Sequence, residues 1–356
     1  MKKKSKKTLS KIIIIAIAIV IVGVASLLYL NNVFTNSTTR YSSFYEEPQN
    51  SLDGIYLGSS AAYCFFMPTK AYEKEGMCIY NMGTTVQPSC IWKNIIADAL
   101  ETQTNLDVVI IELRNTVKLN NDEMTRYIRL ITDGMHNGKN RIDAINTAVD
   151  YYMDDCNQNK LSYYLPGLRV IHLGSYGIKK DDWLLKGEPK SPYKGYTRFG
   201  WANVKKLPQP KEYGDTAAIP ETTETYMREL LDYCSTIEPK VIFVSAPFNP
   251  TSKSIIKQCR MNTICNMCEE AGFTVLNFNR EPLRSQLNMD WSKDYRDRGH
   301  ANAYGAARYS EFLAKWLKSN IKELSDDHRG EKGYEDWDTQ ADNLNMSIKK
   351  KLPDWE

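Results

Sequence analysis

The sequence predicts an α/β domain built on a mainly parallel five-stranded sheet, held behind one N-terminal transmembrane helix. Three observations carry this. An uncharged apolar run, 12–30, directly follows a lysine cluster. From Gly54 onward, short apolar runs alternate with longer stretches of helical period, and alternating β and α units imply a parallel sheet covered on both faces. The first short run, Gly54-Ile55-Tyr56-Leu57, ends in Gly58-Ser59-Ser60 and leads into a helical stretch. That places a hydroxyl at the carboxyl edge of the sheet, where open α/β folds bind ligands.

The elements follow in order. Residues 1–11 form a basic tail with Lys2, Lys3, Lys4, Lys6, Lys7 and Lys11, which keeps it in the cytoplasm. The apolar run 12–30 is about 19 residues, one bilayer crossing, and longer than the roughly 7–15 residues of a secretory signal core, so a retained anchor is expected. Residues 31–52 are polar and lack a period; they read as a flexible extracytoplasmic linker. The domain proper spans 53–325. Its expected strands are 55–57, 77–80, 107–113, 241–246 and 274–278, with helices around 91–102, 252–271 and 303–324.

The alternation breaks over a long insertion, 116–239. It holds a helical pair, 122–135 and 141–156, and then Tyr163, Tyr164, His172, Trp183, Tyr193, Tyr196, Phe199 and Trp201. Connections of this length tend to be functional, and such aromatics could wall a glycan-binding cleft or form the packed underside of a large loop. Residues 326–356 are highly charged, yet Tyr334, Trp337 and Trp355 favour a docked cap over a disordered tail.

Composition narrows the function. Of 46 basic residues, the six lysines of the tail precede the crossing, so the outer portion has fewer basic than acidic residues, of which there are 43. No basic stripe with interleaved aromatics is visible, which sets nucleic acid aside. Eight cysteines in an extracytoplasmic domain permit disulfides. Cys265-Asn266-Met267-Cys268 lies in a helical pattern and does not follow a strand, and no second cysteine pair or histidine cluster completes a zinc set. No cofactor or metal is expected. One structural disulfide from Cys259, Cys265 or Cys268 stays open, while Cys64, Cys78, Cys90 and Cys234 fall on apolar positions.

Candidate chemistry rests on Ser60, Asp297 and His300. Serine at neutral pH needs a base, and an imidazole oriented by a carboxylate is the usual one. Asp297-Arg298-Gly299-His300, read as a loop, lets the carboxylate hold one ring nitrogen while the other faces Ser60. Each motif alone also fits a blander origin, a turn with a helix cap and a solvated loop pair.

Together these stretches resemble the SGNH/GDSL hydrolase superfamily. Gly58-Ser59-Ser60 matches its first block, with Ser59 where the name-giving motif has Asp; Tyr80-Asn81-Met82-Gly83 is similar to the second; Asp297-x-x-His300 is similar to the last. The third block departs from Gly-x-Asn-Asp and reads Glu112-Leu113-Arg114-Asn115. The resemblance covers about residues 53–317 and is nearest the membrane-anchored envelope branch that includes the teichoic-acid D-alanyl transfer and alginate acetylation proteins. It implies a three-layer α/β/α flavodoxin-like domain, and an oxyanion hole from the Ser60 and Gly83 N–H groups, with Asn115 either a further donor or simply a loop residue. It also implies an esterase or O-acyltransferase acting on acyl, chiefly O-acetyl, groups of an envelope polysaccharide, working beside a polytopic membrane-bound O-acyltransferase. The alternative is a non-catalytic glycan-binding or scaffolding module.

Overall fold

A computed structural model describes residues 2–35, 39–118, 122–170, 193–196 and 206–351. Five strands form one all-parallel sheet in the order β2-β1-β3-β4-β5: β1 Gly54–Gly58, β2 Ile79–Asn81, β3 Val108–Glu112, β4 Lys240–Ser245 and β5 Thr274–Asn277. Register runs in step across the centre, Ile55 opposite Val109 and Val109 opposite Val241. Because successive side chains on a strand point to opposite faces, each central strand feeds two cores. Ile55, Leu57, Val109, Ile111 and Phe243 join one with Trp92, Ile95 and Ile264. Tyr56, Val108, Ile110, Ile242 and Val244 join the other with Phe65, Tyr309 and Leu313. Burial on both faces explains why these strands are continuous apolar runs rather than alternating ones.

β1 ends at Gly58, whose φ of 141° is a backbone region favouring glycine; a Cβ there would lie 2.7 Å from the Glu112 carbonyl oxygen. The tight approach lets β1 and β3 finish side by side and turn their next residues over the same edge. Helix Ser60–Phe65 follows immediately, and Pro68–Glu75 after it, starting on a proline that suits a first helical turn and ending at Gly76 in the left-handed region.

The expected helices form as Trp92–Thr102, Ile255–Glu270 and Ala303–Asn320. The last begins where Asn302 Oδ1 accepts the Gly305 N–H at 3.1 Å, and it stops near Ile321 rather than at 324. In the insertion, helices Met124–Thr132 and Lys139–Tyr151 take the places expected at 122–135 and 141–156. Helix Glu221–Cys234 has no counterpart in the sequence expectation. It packs Met227, Leu230 and Leu231 into the first core.

Two expectations are corrected, and one open choice is decided. Residues 39–45 of the expected linker are no tether: helix Thr39–Tyr45 buries Tyr41 and Phe44 in the core, because two aromatic side chains outweigh a polar composition. The stretch expected as a loop at 297–300 is a small antiparallel hairpin, β6 Tyr295–Asp297 with β7 His300–Ala301. Of the two readings of the insertion aromatics, the packed one holds for Tyr163, Tyr193 and Tyr196, which are core residues. His172, Trp183, Phe199, Trp201 and Trp355 lie outside the described residues.

The C-terminal segment docks as helix Glu335–Lys351 against Pro68–Glu75, burying Trp337, Ala341, Leu344 and Ile348. At the other end, helix Lys2–Thr35 contains Leu9–Asn31, 23 residues long and apolar enough to cross a bilayer.

Candidate active site at the carboxyl edge of the sheet

Ser60 is the first residue of its helix, set at the carboxyl end of β1 by the Gly58 turn, and is half-buried. Its Oγ lies 2.8 Å from His300 Nε2, across 240 residues of chain. The other ring nitrogen, Nδ1, lies 2.9 Å from both carboxylate oxygens of Asp297. With Nδ1–H donating to the carboxylate, Nε2 is left to accept the serine proton. Burial acts to raise the Asp297 carboxyl, but hydrogen bonds from His300 and from the Gly299 N–H at 2.8 Å outweigh it and hold it at about 2. Asp297 is therefore an anion at any neutral pH.

The hairpin turn fixes this pair. Gly299 N–H on Asp297 Oδ1 closes the turn from inside, and Arg298 holds the outside through Asn249, whose N–H donates to the Arg298 carbonyl at 2.8 Å. Below it, Trp291 stacks on Tyr295 with ring centres 3.7 Å apart and planes 3° off parallel.

Sequence reasoning passed over Arg114, which reads only as a departure in the third block. Its guanidinium donates to the Gly299 carbonyl, and to the Ala246 and Pro247 carbonyls at 3.0 and 2.7 Å. It sits between the rings of Phe65 and Phe248. One side chain thus joins the ends of β3 and β4 to the Asp297–His300 hairpin and the serine helix. Beside it, the fully buried Glu112 accepts the Ala246 N–H at 3.4 Å, and burial pushes its carboxyl up. An arginine two residues beyond a buried apolar strand signals that carbonyls must await it, but not which ones.

The residues expected to hold an oxyanion are placed unequally. The Ser60 N–H, at the start of a helix, has no intrahelical acceptor. Gly83 does reach the serine helix, since a Cβ on it would stand 2.7 Å from the Ala62 Cβ. Its N–H, however, donates to Asn81 Oδ1 at 3.0 Å, because the buried Asn81 amide is spent bracing this turn against the Ala62 and Phe66 carbonyls. Asn115 stands just past β3, half-buried, with φ of 66°, and makes no side-chain hydrogen bond among the described residues.

Among the described residues, one group could hold a metal ion: Asp98, Glu101 and His136, with ligand atoms within 4.8 Å of one another. It lies at the last turn of Trp92–Thr102, a crossover helix running against the strands, and so at the opposite edge of the sheet from Ser60. Tyr45 donates its hydroxyl to Asp98 and lies against His136, ring centres 3.9 Å apart and planes tilted by 37°. All eight cysteines are free thiols. Cys265 and Cys268 are buried inside helix Ile255–Glu270, where burial pushes the Cys265 thiol up to about 12 and Cys268 well above its usual range, far from the thiolate a redox site needs.

Fold and site together define an α/β protein with an all-parallel sheet and a Ser–His–Asp hydrogen-bonded array at its carboxyl edge. Compared with models of protein families and with curated sequences, the chain matches none.

Proposed function

We propose that this protein is a membrane-anchored serine esterase or O-acyltransferase of the SGNH/GDSL kind, its three-layer α/β/α domain outside the cell membrane. The observation that carries the proposal is the unbroken run Ser60 Oγ–His300 Nε2, His300 Nδ1–Asp297, at 2.8 and 2.9 Å. In this mechanism His300 takes the Ser60 proton as Oγ attacks an ester carbonyl. The tetrahedral oxyanion is met by the Ser60 N–H, with Asn115 and Gly83 as further donors once Gly83 exchanges its Asn81 partner. Collapse expels the alcohol, which takes the proton back from His300, and leaves acyl-Ser60. Water or a sugar hydroxyl then attacks, His300 again carrying the proton and returning it to Ser60. Asp297 stays ionised throughout and holds the tautomer.

The substrate follows from place. A single anchor with a lysine-rich cytoplasmic end leaves the site beside envelope polymers, so the acyl groups, chiefly O-acetyl, are those of an envelope polysaccharide. A polytopic membrane-bound O-acyltransferase is the partner that would deliver them. The test uses full-length protein in lipid nanodiscs, treated with a fluorophosphonate and read by intact mass, with a small acetyl ester assayed alongside. One adduct on the wild type and none on Ser60→Ala or His300→Ala is the expected result. Silence towards both reagents sinks the enzyme and favours the second reading, a non-catalytic glycan-binding or scaffolding module, which the engaged Gly83 N–H supports.

A further inference from the structure

Beyond the apolar helix, six large hydrophobic side chains are exposed among the described residues, and four fall in one short region: Ile142, Met153, Leu161 and Leu165. They share one surface. Positions 142, 146, 150 and 153 follow one face of helix Lys139–Tyr151 and its end. On that stripe Asn146 accepts the Tyr164 hydroxyl and Asp150 pairs with Lys160 at 2.6 Å, so the segment bearing Leu161 and Leu165 lies along it. Arg141 locks the two together through the Tyr163 carbonyl at 2.8 Å.

This surface is fastened to the outer end of the apolar helix. The turn Pro166–Val170, which directly follows Leu165, packs against that helix. Gly167 approaches so closely that a Cβ would lie 2.9 Å from both the Leu27 carbonyl oxygen and the Asn31 nitrogen. Leu27 and Asn31 are the last turn of the 23-residue apolar stretch, and the exposed Tyr29 between them is the residue type that marks a membrane–water interface. From Gly167 back to Leu161 is six residues of helical turn, roughly 10 Å. The apolar side chains therefore stand at the level where the chain leaves the bilayer.

We propose that Ile142, Met153, Leu161 and Leu165 form a second membrane contact, seated in the headgroup–acyl boundary of the outer leaflet and fixing the domain's orientation to the lipid. The partner is a lipid surface because the same chain brings it there; burial of such a face reaches about 5–10 Å below the headgroups. The proposal rests on the reading of Leu9–Asn31 as a membrane crossing, not on the proposed chemistry.

The test places an environment-sensitive fluorophore at single cysteines in the full chain, in a Cys259→Ser background. The other seven native thiols are buried. Leu161→Cys and Leu165→Cys report the contact, Val20→Cys the crossing, and Ile256→Cys and Met346→Cys, both exposed and outside this region, the solvent baseline. In nanodiscs containing lipids that carry a quencher near the headgroup, probes at 161 and 165 should lose about half their emission, and those at 256 and 346 almost none. Quenching at 161 and 165 should vanish when Ile142→Asp and Met153→Asp are added. A probe at 20 that is shielded from water while 161 and 165 behave like 256 overturns the lipid contact and leaves the anchor standing, the result also expected if a protein partner covers this face. Solvent-like behaviour at 20 overturns both.

Discussion

Two histidines in this chain each have a carboxylate three residues further along or back, 2.9 Å from Nδ1: Asp297 for His300 and Glu331 for His328. Their difference lies in the other nitrogen. His300 Nε2 meets the Ser60 hydroxyl, whereas His328 Nε2 meets the Asp53 carboxylate at 3.0 Å. His300 keeps 27% of its side chain exposed. His328 keeps 10% and stacks on Tyr334. The hydrogen bond to Asp53 and then that to Glu331 raise it to about 9 against the opposing effect of burial, so it is a fixed cation tying the C-terminal segment to the start of β1. An Asp/Glu–His pair at this spacing is thus equally a proton carrier or a clasp; the third group decides.

The largest effects should come from breaking the first arrangement. Ser60→Ala should lower ester turnover by at least about 10³-fold and abolish fluorophosphonate labelling, without moving the thermal midpoint. Asp297→Asn, which keeps the shape but favours the wrong tautomer, should cost on the order of 10⁴ in kcat. A loss below tenfold for either would mean that His300 is no more a catalyst than His328.

Arg114 sharpens the comparison: it braces the His300 turn from the end of β3, whereas the His328 turn is braced by its own neighbour Arg329, which donates to the Glu73 and Lys74 carbonyls. Arg114→Ala frees the Gly299, Ala246 and Pro247 carbonyls from their common donor, and a shift of about 1 Å in the hairpin should cost roughly 10²-fold in kcat. Arg114→Lys should recover part of this and less of the geometry, because an ammonium cannot span three carbonyls as a planar fork does. The pH profile of kcat/KM should change with Arg114→Ala; equal loss of activity and of folded protein would reduce the arginine to a structural brace.

The smallest effect belongs to His328 and is one of stability. A histidine raised to about 9 in the folded protein contributes fully below about 6.5, its unfolded value, and loses that contribution as pH rises through 9. His328→Gln should therefore lower unfolding free energy by about 1–3 kcal/mol at pH 6 and by much less at pH 10, with ester turnover unchanged. Denaturant titration at the two pH values reads it. A pH-independent difference would mean that the clasp is held by shape rather than charge.

Much of the framework is legible in the residues. β1, β3 and β4 stand out because strands buried on both faces must be apolar throughout, and Ser60 and the Asp297–His300 spacing are visible at once. Less legible are the pieces whose character is set by what lies across the chain. Tyr41 and Phe44 sit in a polar stretch and are buried only because β2 and its neighbours offer them a core, Phe44 against Tyr80 at 5.5 Å. Lys194, buried between Glu47 and Asp336 and over Trp337, joins three stretches that share no pattern. Asn81 looks like a site residue and is spent as a brace.

By itself the sequence determined the apolar helix, the class of sheet and the residue types able to make a serine react, because each is a local property: length, period and side-chain chemistry. Only the tertiary structure decided that Ser60 meets His300 across 240 residues while His328 meets Asp53 across 275. It also decided that Arg114 faces the triad hairpin and that Gly83 has already given up its N–H. Long-range partners are chosen by where the strands end and turn, and hydrogen bonds worth about 1 kcal/mol each cannot announce themselves in a pattern before the core has brought them within reach.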